Sequence, residues 1–124
     1  MAKTKNIMKW NFAIGTTSRV PYCKRLHYFI ADFDCEKLPD NVIENISYWS
    51  KHVFIQKTKN GYHVYTDCKL TFNSLVKKLR HCKADKKWVS IGKKRGYFFL
   101  ADKSHVILPW HVERMVLNYN GKER

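Results

Sequence analysis

The sequence contains no Cys-x-x-Cys pair; its four cysteines, Cys23, Cys35, Cys68 and Cys82, stand singly along the chain. A zinc finger or ribbon needs thiolates paired at short spacing, so neither has a basis here. Buried free thiols are the expectation, because an unpaired cysteine behaves as a small apolar residue in a reducing compartment. A disulfide stays open, but the spacing does not pair one. No run of about 18 apolar residues occurs, which argues against a membrane-spanning helix. The start, Met1-Ala2-Lys3-Thr4-Lys5, lacks the apolar stretch of a signal peptide. The expectation is an intracellular, cytoplasmic protein with no membrane partner. Low-complexity tracts and internal repeats are missing as well, so neither a solenoid nor a disordered tail is indicated. Acidic residues are scarce: 10 Asp and Glu face 24 Lys and Arg, a formal charge of +14. Such an excess attracts polyanions, and nucleic acid is the first partner to consider.

What the chain has is material for one core. Its 124 residues are 44% hydrophobic, with seven Phe, seven Tyr and four Trp. That length suits a single domain, 1–124, with a core over about 26–105. Met8–Ile14 alternates as a strand does, Gly15–Ser18 reads as a loop, and Leu26–Asp34 is the first clear strand. Pro39 suits the first turn of a helix, Asp40 complements its dipole, and Val42, Ile43, Ile46 and Trp49 recur at helical spacing. Val53–Lys57 and Tyr62–Thr66 flank Asn60-Gly61, the signature of a hairpin closed by a type I′ turn. Phe72, Leu75, Val76 and Leu79 mark a second helix, with Thr71 as its cap. Trp88–Ile91 and Tyr97–Ala101 read as two further strands around the basic turn Gly92–Gly96, and Pro109–Leu117 as a strand or short helix docked on the domain. The order strand, helix, strand, strand, helix, strand predicts an α+β fold: an RRM-like (ferredoxin-like) antiparallel sheet with two helices on one face and added N- and C-terminal segments.

This topology places chemistry. Side chains alternate across a strand, so Asp32 and Asp34 share a face at a strand end. Carboxylates held close repel, and a cation bridging them relieves the repulsion, which makes the pair a candidate site for Mg²⁺ or Mn²⁺. The hairpin strand that begins at Tyr62 should lie antiparallel beside the first strand, bringing His63 next to Asp32 and Asp34 with Tyr65 on the same face. The strand expected at Trp88 should start at the same end, on the other side of the first, bringing Asp85, with Asp102 as the fallback third acid. Lys57, Lys59, Lys93, Lys94 and Arg95 are candidate phosphate contacts, Lys24 and Arg25 candidate nucleic-acid contacts. Tyr28, Tyr62, Tyr65 and Trp88 are candidate rings for stacking bases on an exposed sheet face.

Asp32-x-Asp34 at a strand end, followed by Gly61-Tyr62-His63-Val64-Tyr65 in a hairpin, resembles the catalytic core of the archaeo-eukaryotic primases and primase-polymerases. The resemblance implies a DNA primase- or polymerase-type nucleotidyltransferase acting on single-stranded or primed DNA with nucleoside triphosphates. It further implies that Asp32, Asp34 and Asp85 hold divalent metal and that His63 contacts nucleotide phosphates. Other replication proteins, a helicase or an accessory primase subunit, are the implied partners. Two positions depart from the family pattern: Gly61 stands where a small hydroxyl residue is usual, and Ala101 where an arginine is common. Two other classes stay open. An RRM-like binding module without catalysis accounts for charge and aromatics but leaves two carboxylates facing a polyanion. A replication-initiator nuclease needs a second histidine where Tyr65 stands.

Overall fold

The computed structural model describes residues 12–101 and 114–118. Its elements are β1 (Phe12–Thr17), β2 (Arg19–Val20), β3 (Cys23–Phe33), α1 (Asp40–Trp49), β4 (Val53–Lys57), β5 (Tyr62–Thr71), α2 (Phe72–His81), α3 (Lys86–Arg95), β6 (Phe99–Ala101) and β7 (Arg114–Asn118). The fold is α+β, with a four-stranded antiparallel sheet in the order β2-β3-β5-β4 and a three-stranded sheet in the order β6-β1-β7.

The larger sheet is built around β3, whose Tyr28, Phe29, Ile30 and Phe33 favour extended backbone and are all buried. The rings of Trp49 in α1 and Phe72 in α2 pack against Phe29 and His27, alternate residues of β3, at 5.2 Å in each case. Both helices therefore cover one face of the sheet. Val42 and Ile46 of α1 and Leu75, Val76 and Leu79 of α2 are buried there, at the spacing the sequence shows. Thr71 caps α2 as expected, its hydroxyl accepting from the Ser74 N–H at 3.3 Å.

Strand β5 lies between β3 and β4, the arrangement expected for a crossover followed by a hairpin. The hairpin forms without a type I′ turn, because positive φ among the described residues is confined to Tyr22, Lys83 and Gly96. A four-residue loop, Thr58 to Gly61, closes it instead, with the Gly61 N–H donating to the Thr58 hydroxyl oxygen at 3.1 Å. Gly61 is needed for close approach, not for φ. A Cβ there would stand 1.8 Å from the Phe33 carbonyl oxygen.

Three further expectations are overturned. The segment Trp88–Ile91 is helix, not strand: the Asp85 carboxylate caps α3 by accepting from the Trp88 N–H at 3.0 Å, and Gly96, at φ 86°, terminates it. Two good caps and the burial of Val89 outweigh the β-propensity of that run. The strand at Phe99–Ala101 pairs with β1, leaving the place beside β3 to β2. Gly15–Thr17, read as loop, belongs to β1, and Ser18 ties the two sheets together: its N–H donates to the Phe98 carbonyl oxygen at 2.9 Å and its carbonyl accepts from the Tyr28 N–H at 2.6 Å. The expected C-terminal element is strand β7, paired with β1. Cys82 is buried and Cys23, Cys35 and Cys68 are half-buried; all four are free thiols, and burial pushes the Cys82 thiol up to about 11.

Candidate functional site

The site forms where β3 ends. Asp32 and His63 are direct partners in the β3–β5 register, so alternation turns both to the same face. His63 Nε2 lies 3.6 Å from Asp32 Oδ1, with 14% and 29% of the two side chains exposed. Asp85 reaches the same end by a different element than expected. Lys83 takes a left-handed turn, φ 61°, after α2 and sends Ala84-Asp85 back against the sheet. There the Asp85 N–H donates to the Asp32 carbonyl oxygen at 2.8 Å. Asp34 follows the last residue of β3 and is exposed.

Partial burial first, then the negative charges of Asp85 and Asp34, push the Asp32 carboxyl up to about 6. A cation among the three would remove that repulsion, and carboxylate oxygens are the donors Mg²⁺ and Mn²⁺ prefer. The residues thus fit a divalent metal in donor type and charge. Among the described residues, no three His, Cys, Asp or Glu side chains already converge on one point as a finished metal cage does. The Asp85 carboxylate is instead engaged as the α3 cap.

A cleft of about 300 Å³ opens over this end, lined by Asp32, Asp34, Asp85, His63, Thr58 and Lys59 among others. Beside it, and sharing Asp34 and Asp85, lies a groove of about 840 Å³ whose cations are Arg80, Lys83, Lys86 and Lys93, with Ser90 among them. Acidic cleft and basic groove together can take a metal and a chain of phosphates. Thr58, Arg80, Lys83 and Lys86 are not candidates in the sequence reading. The basic spacing of α2 and α3 alone does not reveal that the Lys83 turn folds both helix ends toward the acids. Thr58 brings a hydroxyl into the cleft, three residues before Gly61.

Other candidates are dispersed. Lys59 lines the cleft and Lys93 the groove. Lys57 pairs with Tyr62, on the sheet face opposite His63, and donates to the Thr58 carbonyl oxygen at 2.9 Å. Arg95 and Lys24 line a separate pocket at the far end of β3, and Lys94 and Arg25 are exposed. Tyr65 does share the His63 face, but it is wholly buried, as is Tyr28 apart from 5%. Neither can stack a base, because the centre of the sheet is covered on both faces. Trp88 is anchored by its indole N–H, which donates to the Phe99 carbonyl oxygen at 2.7 Å, and the half-buried Tyr62 donates its hydroxyl to the Glu36 carbonyl oxygen at 3.2 Å. Asp102, His105 and His111 lie outside the described residues.

Among the described residues, no helix is long and apolar enough to cross a membrane. Comparison of the chain with family models, with curated proteins and with solved structures finds no match.

Proposed function

We propose that the chain is a metal-dependent nucleotidyltransferase of the primase-polymerase type, working on single-stranded or primed DNA with nucleoside triphosphates. The observation that carries the reading is the pairing of Asp32 with His63 at a sheet end where Asp34 and Asp85 bear on the same carboxyl. The order β3-α1-β4-β5-α2, with β3 and β5 central and both helices on one face, supports the RRM-like core such a site is built on. Its expected fourth strand is α3, so the match is to the first five elements.

In this reading Asp32, Asp34 and Asp85 hold Mg²⁺ or Mn²⁺, which supplies charge neutralisation at the attacked phosphate and activation of the attacking hydroxyl. His63 and Lys59 hold the phosphates nearest the acids. Arg80, Lys83 and Lys93 hold the remainder of the triphosphate along the groove, where fixed cations favour the charge of departing pyrophosphate. Asp85 also fixes the end of α3 against β3, so the cations of that helix keep their distance from the acids.

A binding module without catalysis is favoured by one observation, the use of Asp85 as a helix cap. The two remaining carboxylates would then face a polyanion with no role. The nuclease reading loses ground because Tyr65 is buried beside His63, their ring centroids 6.3 Å apart. Nucleotide incorporation on single-stranded and primed DNA, with Mg²⁺ or Mn²⁺, decides between them. The proposal expects incorporation that falls to background in Asp32→Asn/Asp34→Asn and drops strongly in His63→Ala, with DNA binding retained in both. A wild-type protein that binds DNA yet incorporates nothing with either metal, with deoxynucleotides or ribonucleotides, leaves the binding module.

A further inference from the structure

At the opposite end of β3 from the acids, Pro21 and Tyr22 form the two-residue loop that joins Val20 to Cys23. A proline followed by a residue of positive φ is the pattern of a type II turn, whose second place ordinarily takes Gly or Asn. Here it is Tyr22, at φ 64°, with its side chain fully exposed. The turn gains nothing from a large ring in a backbone region that bulky residues avoid, and the ring packs on no core. A strained residue whose side chain stands in solvent points to a use outside the fold.

The surroundings specify the use. Tyr22 borders a pocket of about 560 Å³ whose cations are Arg19, Lys24 and Arg95, and its described lining includes no carboxylate. Arg19 is held over the ring of Tyr97, its guanidinium carbon 4.2 Å from the centroid, so this cation is fixed in place. Arg95 arrives from the last turn of α3, the helix whose first end is capped by Asp85 at the acidic cleft. A ten-residue helix spans only about 15 Å, and its exposed lysines lie between the two sites.

We infer that this pocket is a second nucleic-acid site, in which one base of a single strand stacks on Tyr22 while its flanking phosphates lie on Lys24 and Arg95. An exposed ring beside cations, with no carboxylate among the described lining, suits the flat face and charged backbone of an unpaired strand. A duplex keeps its base faces stacked and offers Tyr22 only an edge or a groove. The site is independent of catalysis at Asp32 and stands under either functional reading.

The test uses the full chain, oligothymidylate and a duplex of equal length. Tyr22→Asn removes the ring while suiting the left-handed backbone, and Tyr22→Trp keeps a stacking surface. The inference expects single-strand affinity to fall about tenfold in Tyr22→Asn and to persist in Tyr22→Trp, with duplex affinity unchanged in both. It also expects oligonucleotides carrying 5-iodouracil to crosslink to Tyr22 on irradiation, and Asp32→Asn/Asp34→Asn to leave all of this intact. Equal single-strand binding by Tyr22→Asn, crosslinks that map only elsewhere, or an effect of Tyr22 confined to anionic phospholipid vesicles overturns it.

Discussion

The backbone N–H of Asp85 donates to the backbone carbonyl oxygen of Asp32 at 2.8 Å, while the Asp85 carboxylate accepts from the Trp88 N–H at 3.0 Å. One residue thus bolts α3 to the sheet end, caps that helix and adds charge beside Asp32. The backbone bond survives any substitution that keeps the N–H, every residue but proline, whereas cap and charge can be separated. Asparagine caps a helix about as well as aspartate, and alanine costs about 1 kcal/mol at such a position. Asp85→Asn keeps the cap and relieves some of the repulsion on Asp32, so it should melt no lower than the wild type, yet lose metal-dependent incorporation. Asp85→Ala should lose activity and also melt roughly 4 °C lower. Full activity in Asp85→Asn would confine Asp85 to its structural role.

Asp32 links stability to pH and metal. Its carboxyl is raised from an ordinary 3.8 to about 6 by burial and by Asp85 and Asp34. Between those values the folded chain holds a proton that the unfolded chain has lost. Stability therefore falls as pH rises through that window and stays lower above it. Asp32→Asn removes the penalty and should stabilise the protein near neutral pH by up to about 2 kcal/mol, since solvent at the partly exposed carboxylate trims the effect. The gain should vanish below the ordinary carboxyl range. Mg²⁺ or Mn²⁺ should raise the melting temperature of the wild type but not of Asp32→Asn, an effect that denaturation followed with and without metal can measure.

The register that joins Asp32 to His63 was legible because a strand, a crossover helix and a hairpin leave few ways to pair. Asp85 was placed at the correct end for a mistaken reason. The run Trp88-Val89-Ser90-Ile91 has strand chemistry, but Asp85 and Gly96 bracket it as helix caps, and those caps were the better signal. The basic groove was not legible, since Arg80 and Lys93 meet only through the turn at Lys83, whose positive φ no residue type there announces. Tyr65 exposes the limit of alternation, which gives the face of a side chain and not what covers it.

Gly61 stands where the primases that the sequence resembles usually carry a small hydroxyl residue, and introducing one here should harm the protein. The Cβ of Gly61→Ser would press against the Phe33 carbonyl oxygen, backbone that cannot yield without moving the end of β3. A loss of roughly 2 kcal/mol is expected, as for other overpacked sites. Because β3 carries Asp32, incorporation should fall with stability. Thr58→Ala should be milder in stability, since one hydrogen bond is worth about 1 kcal/mol, yet it removes the only hydroxyl among the described residues of the cleft. Equal thermal stability of Gly61→Ser and wild type would show that the loop has room to move.

Away from the cleft, Asp67 locks the start of β4 to β5. Its carboxylate accepts from the Ser50 hydroxyl at 2.7 Å and the His52 N–H at 3.1 Å, and lies 2.6 Å from His52 Nδ1. Burial alone would raise the carboxyl, but the bonds from His52 and Ser50 prevail and hold it at about 2. A lowered folded value means stability that is present above the ordinary carboxyl range and is lost as pH falls toward the folded value. Asp67→Asn should therefore cost roughly 1 kcal/mol near neutral pH, a modest figure because water reaches the network. In acid the curves of mutant and wild type should converge. That dependence is opposite in sign to the one expected at Asp32, so urea denaturation of both variants across the acid range separates a carboxylate that stabilises the fold from one strained for its site.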